Sequence, residues 1–250
     1  MKKCFILAVA TLVAAGVVFG ALGSVVRSFP IPGGYCGGLA RSDTYLYVNN
    51  YSQARIYRVN PTSGSVYNFW TGSNNIRGLA YQYGGYLWLN KAPSPSRIFK
   101  SRENTGSIYN YWPLPTIYSH GSAPLATGDG GRGTTVIFIS DYYTRRIHYM
   151  ATGGSIFSSF TVSRPLFDIA YDWRNRLIWG GMNSTTVYGF TATGSLKAYF
   201  NKPTGNIYGI TYYGQYLWVA GSTGRIYQIH CPSNVGIAPS SMGKIKAIFE

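Results

Sequence analysis

Acidic residues are scarce: seven Asp and Glu stand against 22 Lys and Arg in 250 residues, a formal net charge of +15. Charged residues of both signs make up 12% of the chain, about half of the roughly 25% usual in globular domains. So few carboxylates leave little material for acid-dependent catalysis. The three histidines, His120, His148 and His230, have no spacing that would gather a metal ion, and neither metal nor cofactor is expected. Cysteine also numbers only three. Stretches rich in Ala, Glu, Lys and Leu are missing, which excludes long helices. A hydrophobic fraction of 46% excludes disorder. What is abundant is Gly (31) and Tyr (23), the material of short aromatic strands joined by tight turns.

Lys2 and Lys3 precede an apolar run from Phe5 to Leu22, with small residues at the exit in Ala21-Leu22-Gly23. This order reads as a secretory signal over 1–23, cleaved after Gly23 to leave residues 24–250. An uncleaved anchor is the alternative, because the run approaches the roughly 20 residues of a membrane span. Cys4 opens the run instead of closing it, so it is not a lipoprotein cysteine. Either reading sends the chain out of the cytoplasm, to the extracellular space, the cell surface or the periplasm.

A short signature recurs along the rest: Gly23-Ser24-Val25, Gly64-Ser65-Val66, Gly106-Ser107-Ile108, Gly154-Ser155-Ile156, Gly194-Ser195-Leu196 and the weaker Gly243-Lys244-Ile245, at intervals of 41, 42, 48, 40 and 49 residues. Three segments return between these marks. One is small, as in Gly38-Leu39-Ala40 and Gly78-Leu79-Ala80. One is aromatic, as in Tyr45-Leu46-Tyr47-Val48 and Tyr216-Leu217-Trp218-Val219. One opens on a base, as in Arg55-Ile56-Tyr57 and Arg225-Ile226-Tyr227. Four strands per unit of 40 to 49 residues is the mark of a β-propeller blade. The sequence therefore predicts an all-β, five-bladed β-propeller of four-stranded antiparallel blades over 24–250. Gly and Ala in the first strand suit the crowded channel wall, and aromatic second and third strands fill the spaces between blades.

Units of the form G-L-A-x(5)-Y-L-W-V…R-I-Y…T-G-S-V resemble the secreted bacterial propeller repeats related to the NHL, YVTN and virginiamycin-lyase-like groups. The resemblance spans essentially 24–250 and implies the propeller fold; for function it implies only a choice among lyases, cyclases, lectins and scaffolds. In those repeats an acidic residue often follows the second strand. Here only Asp141 holds that place, with Asn49, Asn90, Gly181 and Gly221 in the other blades.

The strand count leaves one surplus terminal strand. Residues 24–29 match the fourth-strand pattern and can close blade five, which makes 243–249 redundant behind a linker over 232–242. That segment, with Lys244, Ile245, Lys246, Ala247, Ile248 and Phe249, either adds to its own blade or frays, or is donated to another copy of the chain, a route to filaments. Cys36 and Cys231, nearly 200 residues apart, flank neighbouring blades of the ring. In an exported chain they suggest a disulfide clasp worth on the order of 4–5 kcal/mol; two buried thiols are the alternative.

No catalytic constellation stands out. Asp129 and Asp168 are the best carboxylate pair, and Asp129-Gly130-Gly131-Arg132-Gly133 is a hairpin turn without the helix a phosphate loop needs. A lyase or hydrolase at the channel mouth is the enzymatic alternative. Binding is the stronger expectation. The second-to-third and fourth-to-first loops would present Asn49, Asn50, Tyr51, Asn90, Lys91, Asp141, Tyr142, Tyr143 and Asn183, with Asn74, Asn75 and Arg77, on one face suited to sugars. The excess of bases favours an acidic polysaccharide or other surface polyanion. No run of bases exceeds Arg145-Arg146, so no specific nucleic-acid site is expected. Bases recur on third strands (Arg55, Arg58, Arg97, Lys100, Arg145, Arg146, Arg225) and form either stripes near the outer rim or a dispersed excess. The sequence thus points to a non-catalytic extracellular structural or interaction module that self-assembles or binds a glycan or polyanion.

Overall fold

The computed structural model describes residues 21–72, 76–91, 97–114, 125–127, 136–182 and 185–232. They form five four-stranded antiparallel sheets arranged as a five-bladed β-propeller. Blade one holds β2 (Gly38–Arg41), β3 (Leu46–Asn50), β4 (Arg55–Val59) and β5 (Val66–Thr71). Blade two holds β6 (Ile76–Gln82), β7 (Tyr86–Lys91), β8 (Arg97–Arg102) and β9 (Ile108–Pro113). Blade three holds β10 (Leu125–Thr127), β11 (Val136–Asp141), β12 (Arg146–Ala151) and β13 (Ile156–Thr161). Blade four holds β14 (Asp168–Asp172), β15 (Leu177–Gly181), β16 (Thr186–Thr191) and β17 (Leu196–Asn201). Blade five takes three strands from the end of the chain, β18 (Ile207–Tyr213), β19 (Tyr216–Gly221) and β20 (Arg225–His230), and its fourth from the start, β1 (Val25–Pro30).

Strand alternation explains the core. Along β3, Leu46 and Val48 pack toward blade five while Tyr47 packs toward blade two. Each sheet thus has two buried faces, and five apolar clusters, one per seam between neighbouring blades, close the ring among the described residues. Small residues in the first strands permit that closure. A Cβ on Gly38 would lie 2.9 Å from the Leu79 amide nitrogen of the next blade. The recurrent Gly-Ser signature has an equally specific use. Gly106 lies against the Trp70 indole of the preceding blade, Gly154 against Trp112, Gly64 against Phe29, and Gly23 against Phe200. At Gly106 the backbone is also left-handed, with φ at +71°, so the position excludes a side chain twice over.

The choice between the two terminal strands is settled by β1, which pairs with β20 from Pro30↔Arg225 to Val25↔Ile229. The linker beyond Pro232 and the strand expected over 243–249 lie outside the described residues. The clasp begins before Ser24: the Gly23 amide donates to the His230 carbonyl at 3.0 Å, and Leu22 packs on the seam between blades four and five. The leader expected over 1–23 therefore overlaps, at its end, residues that sit in the clasp.

The expected Cys36–Cys231 bond is not formed; both cysteines are buried free thiols. They belong to different seams, Cys36 to blades five and one, Cys231 to blades four and five. Strand parity explains the separation. Cys36 precedes a first strand, and Cys231 follows a third strand running in the same direction. The two therefore lie at opposite ends of the sheets, about 20 Å apart along a six-residue strand. The Cys231 thiol instead points to the Asp172 carboxylate, at 3.6 Å.

Candidate binding surfaces

Among the described residues, the loop face does not display the amides the sequence suggested. Asn49, Asn50, Asn90 and Asp141 are all buried. Asn49 reaches across a seam, its Nδ2 donating to the Ile76 carbonyl at 2.5 Å. Asn50 Oδ1 accepts from the Gln53 amide at 3.1 Å and from Ser52 Oγ at 2.8 Å, which forms the β3–β4 turn. Asp141 does the same for the β11–β12 turn: Oδ1 accepts from the Tyr143 amide at 3.0 Å and Oδ2 from Thr144 Oγ1 at 2.6 Å. A residue that ends a second strand is drawn into organising the following turn, which is why Asx types recur there. What this face does expose is aromatic. Tyr143 is 66% accessible and meets Tyr142 edge-on, and Tyr51, with Arg77 over its ring at 5.1 Å, pairs with Tyr35. Lys91 is half-buried. Asn183, Asn74, Asn75, His120 and Asp129 lie outside the described residues.

The remaining candidates for chemistry are enclosed. Asp168 Oδ2 accepts from the Ile210 amide of blade five at 2.7 Å, and burial pushes its carboxyl well above the ordinary range. His148 is buried in β12, and desolvation lowers its pKa despite the nearby Asp141. Asp172 serves a turn and a seam at once, accepting from the Arg174 and Asn175 amides at 3.0 Å and from Trp179 Nε1 at 3.2 Å. Among the described residues, the central channel holds a small cavity bordered by Arg41, Ala80, Tyr81, Thr127, Tyr171 and Tyr212. Arg41 is pinned there, donating to the carbonyls of Tyr45 and Asp43 and covering the Tyr213 ring at 4.6 Å.

The outer rim is different. In blade one, Arg58 lies over Tyr45 at 4.2 Å, Tyr45 meets Tyr67 edge-on at 5.2 Å, and Arg55 lies over Phe69 at 4.3 Å. Blade two repeats this with Lys100 over Tyr86 at 4.2 Å, Tyr86 against Tyr109 at 5.5 Å, and Arg97 over Tyr111 at 5.1 Å. Burial of Lys100 under these rings lowers its pKa. The bases expected as stripes are thus, in these two blades, packed onto half-buried or exposed rings. The signal was present in the near-identical Val66-Tyr67-Asn68-Phe69-Trp70 and Ile108-Tyr109-Asn110-Tyr111-Trp112, but period-two alternation alone assigns such rings to a core. A register shift in each blade, between Arg58 and Val59 and between Lys100 and Ser101, leaves Tyr67 and Tyr109 as extra residues. These bulges carry the two tyrosines out to their partners at the rim.

No family model and no curated relative matches this chain. Among solved structures it is similar to the crystal structure of Myxococcus xanthus glutaminyl cyclase, with a TM-score of 0.68, 14% identity, and coverage of 83% of this chain and 95% of that one. A chain of the mitotic checkpoint complex aligns over 79% of this chain and 62% of its own length at 10% identity and a TM-score of 0.48. At such identities the likeness to the cyclase is one of fold: the chain is built as a β-propeller.

Proposed function

We propose that this chain is a non-catalytic, exported structural and interaction module that associates with itself through its C-terminal segment. The observation that carries the reading is the occupancy of blade five. Its fourth-strand position is filled by β1, so the second fourth-strand sequence is not needed to complete that blade. That sequence, Gly243-Lys-Ile-Lys-Ala-Ile-Phe249, reads like Gly194-Ser-Leu-Lys-Ala-Tyr-Phe200, which forms β17 and the turn before it. Among the described residues, each blade ends in an outer strand with one unpaired edge, and such edges template strand addition. Donation from one copy to the next is head-to-tail and builds an open filament. Export rests on the N-terminal leader, and the repeats fit the NHL and YVTN type of secreted propeller.

A lyase or hydrolase at the channel mouth has less support, because among the described residues Asp141 and Asp172 form turns and Asp168 is tied to the Ile210 amide. Light scattering and negative-stain microscopy of the exported protein with and without residues 233–250 test the proposal. Polymers that vanish on truncation are expected; a monomer in both forms overturns it.

A further inference from the structure

Each blade seam has an outer rim built from two walls: the third and fourth strands of one blade, and the same strands of the next. At the seam of blades one and two, Tyr45 and Phe99 pack against the same apolar cluster. Tyr45 brings Tyr67 and Arg58 to one wall. Phe99 brings Tyr111 to the other wall, at 6.1 Å, with Arg97 above it. Tyr67 is 60% exposed and Tyr111 52%, and Asn68, exposed beside Tyr67, is paired across the sheet with Arg58.

The other seams lack this pairing of walls. In register, the positions of Arg58 and Tyr67 hold Lys100 and Tyr109 in blade two, Tyr149 and Phe157 in blade three, Gly189 and Lys197 in blade four, and Gln228 and Val26 in blade five. The positions of Arg97 and Tyr111 hold Arg146 and Ser159, Thr186 and Tyr199, and Arg225 and Ser28 in blades three to five. Among these, an exposed ring with a cation on both walls occurs only at the first seam.

We propose that this seam binds an acidic polysaccharide, with the apolar faces of its sugar rings on Tyr67 and Tyr111 and its carboxylates on Arg58 and Arg97. Charge complementarity selects the partner: residues 38–113 hold eight Lys and Arg against two acids. Of those acids, Glu103 is engaged, accepting from Tyr47 Oη at 2.7 Å. Each cation lies directly against a ring, at 4.2 Å and 5.1 Å. A uronate unit matches that arrangement because it carries its carboxylate on the same ring that stacks. A nucleotide holds its phosphate a sugar away from its base. This binding does not rest on self-association, since a single chain contains both walls.

The test is affinity electrophoresis of the full chain through gels containing polygalacturonate, with dextran as neutral polymer and single-stranded DNA as competitor. Retardation by polygalacturonate and not by dextran is expected, weakening with salt. Tyr67→Ser/Tyr111→Ser and, separately, Arg58→Gln/Arg97→Gln should each weaken it about tenfold or more. Lys197→Gln, at the seam of blades four and five, should leave it unchanged. Melting temperatures near that of the parent show that the variants are folded. Equal retardation of the Tyr67→Ser/Tyr111→Ser variant, equal retardation by dextran, or displacement by DNA at matched charge would each overturn the assignment.

Discussion

Two seams of the ring show how one repeat yields different surfaces. At the seam of blades one and two, each wall carries a large exposed ring beside a half-buried arginine. At the seam of blades four and five the matching positions are Gly189 and Lys197 against Arg225 and Ser28, and Arg225 is tied to the Ser28 hydroxyl at 2.9 Å. This second seam is also where the chain closes, with Leu22 packed on it and Gly23 against Phe200. Their inner ends differ as well. In blade one the cross-strand pair is Gly38 and Asn49, and the amide crosses to the next blade; in blade four it is Asp168 and Gly181, and the carboxyl crosses instead. The two seams share an apolar middle and a polar link near the channel, while their rims differ.

Three changes would break or sharpen this contrast. The largest effect is expected at Gly106, where a methyl group would occupy the space of the Trp70 indole in a left-handed backbone. Gly106→Ala should cost about 3 kcal/mol by denaturant unfolding. Gly214→Ala, at φ +69° with open space around it, should cost about 1 kcal/mol, the backbone penalty alone. Equal losses would show that the glycine–indole contact does not hold the first seam.

Next in size is the closing seam. A chain beginning at Ser24 lacks the Leu22 contact and the Gly23–His230 hydrogen bond. Against a chain beginning at Ala21 it should be less stable by about 1–2 kcal/mol. Equal melting would leave the clasp to β1 alone.

A third contrast, read as a pH slope, follows from Asp168. Its pKa is raised in the folded state, so the folded chain keeps a proton that the unfolded chain releases above about pH 4. Stability contributed by the neutral carboxyl is therefore present at low pH and falls as pH rises from about 4, by at most about 1.4 kcal/mol per unit. Asp168→Asn should flatten that slope in melting curves taken between pH 4 and 8. The corresponding link at the first seam, Asn49, does not titrate. An unchanged slope in the variant would remove Asp168 as its source.

Much of the architecture was legible in the chain because the repeat is written in steric terms. Gly-Ser turns, small first strands and aromatic second strands recur at blade spacing, and five of each imply five blades. The candidate site was less legible. Asn49, Asn50, Asn90 and Asp141 were read as ligand contacts because they end strands near loops, yet all four are buried, Asn50 and Asp141 in the following turn and Asn49 across a seam. Tyr67 and Tyr111 were not singled out, because a fourth-strand pattern does not show where a bulge turns a ring such as Tyr67 to the rim.

By itself, then, the sequence determined the fold class, the blade count and the excess of positive charge, because these follow from periodicity and composition. Tertiary structure decided the rest. Residues 24–29 and the weaker copy over 243–249 both offered a fourth strand for blade five, and pairing with β20 selects the first. Strand direction separates Cys36 from Cys231 although their blades adjoin. A bulge in β5 turns Tyr67 toward Tyr45, and ring order sets that wall against the Tyr111 of blade two. Each depends on which surfaces meet when the ring closes, and a local pattern does not specify that.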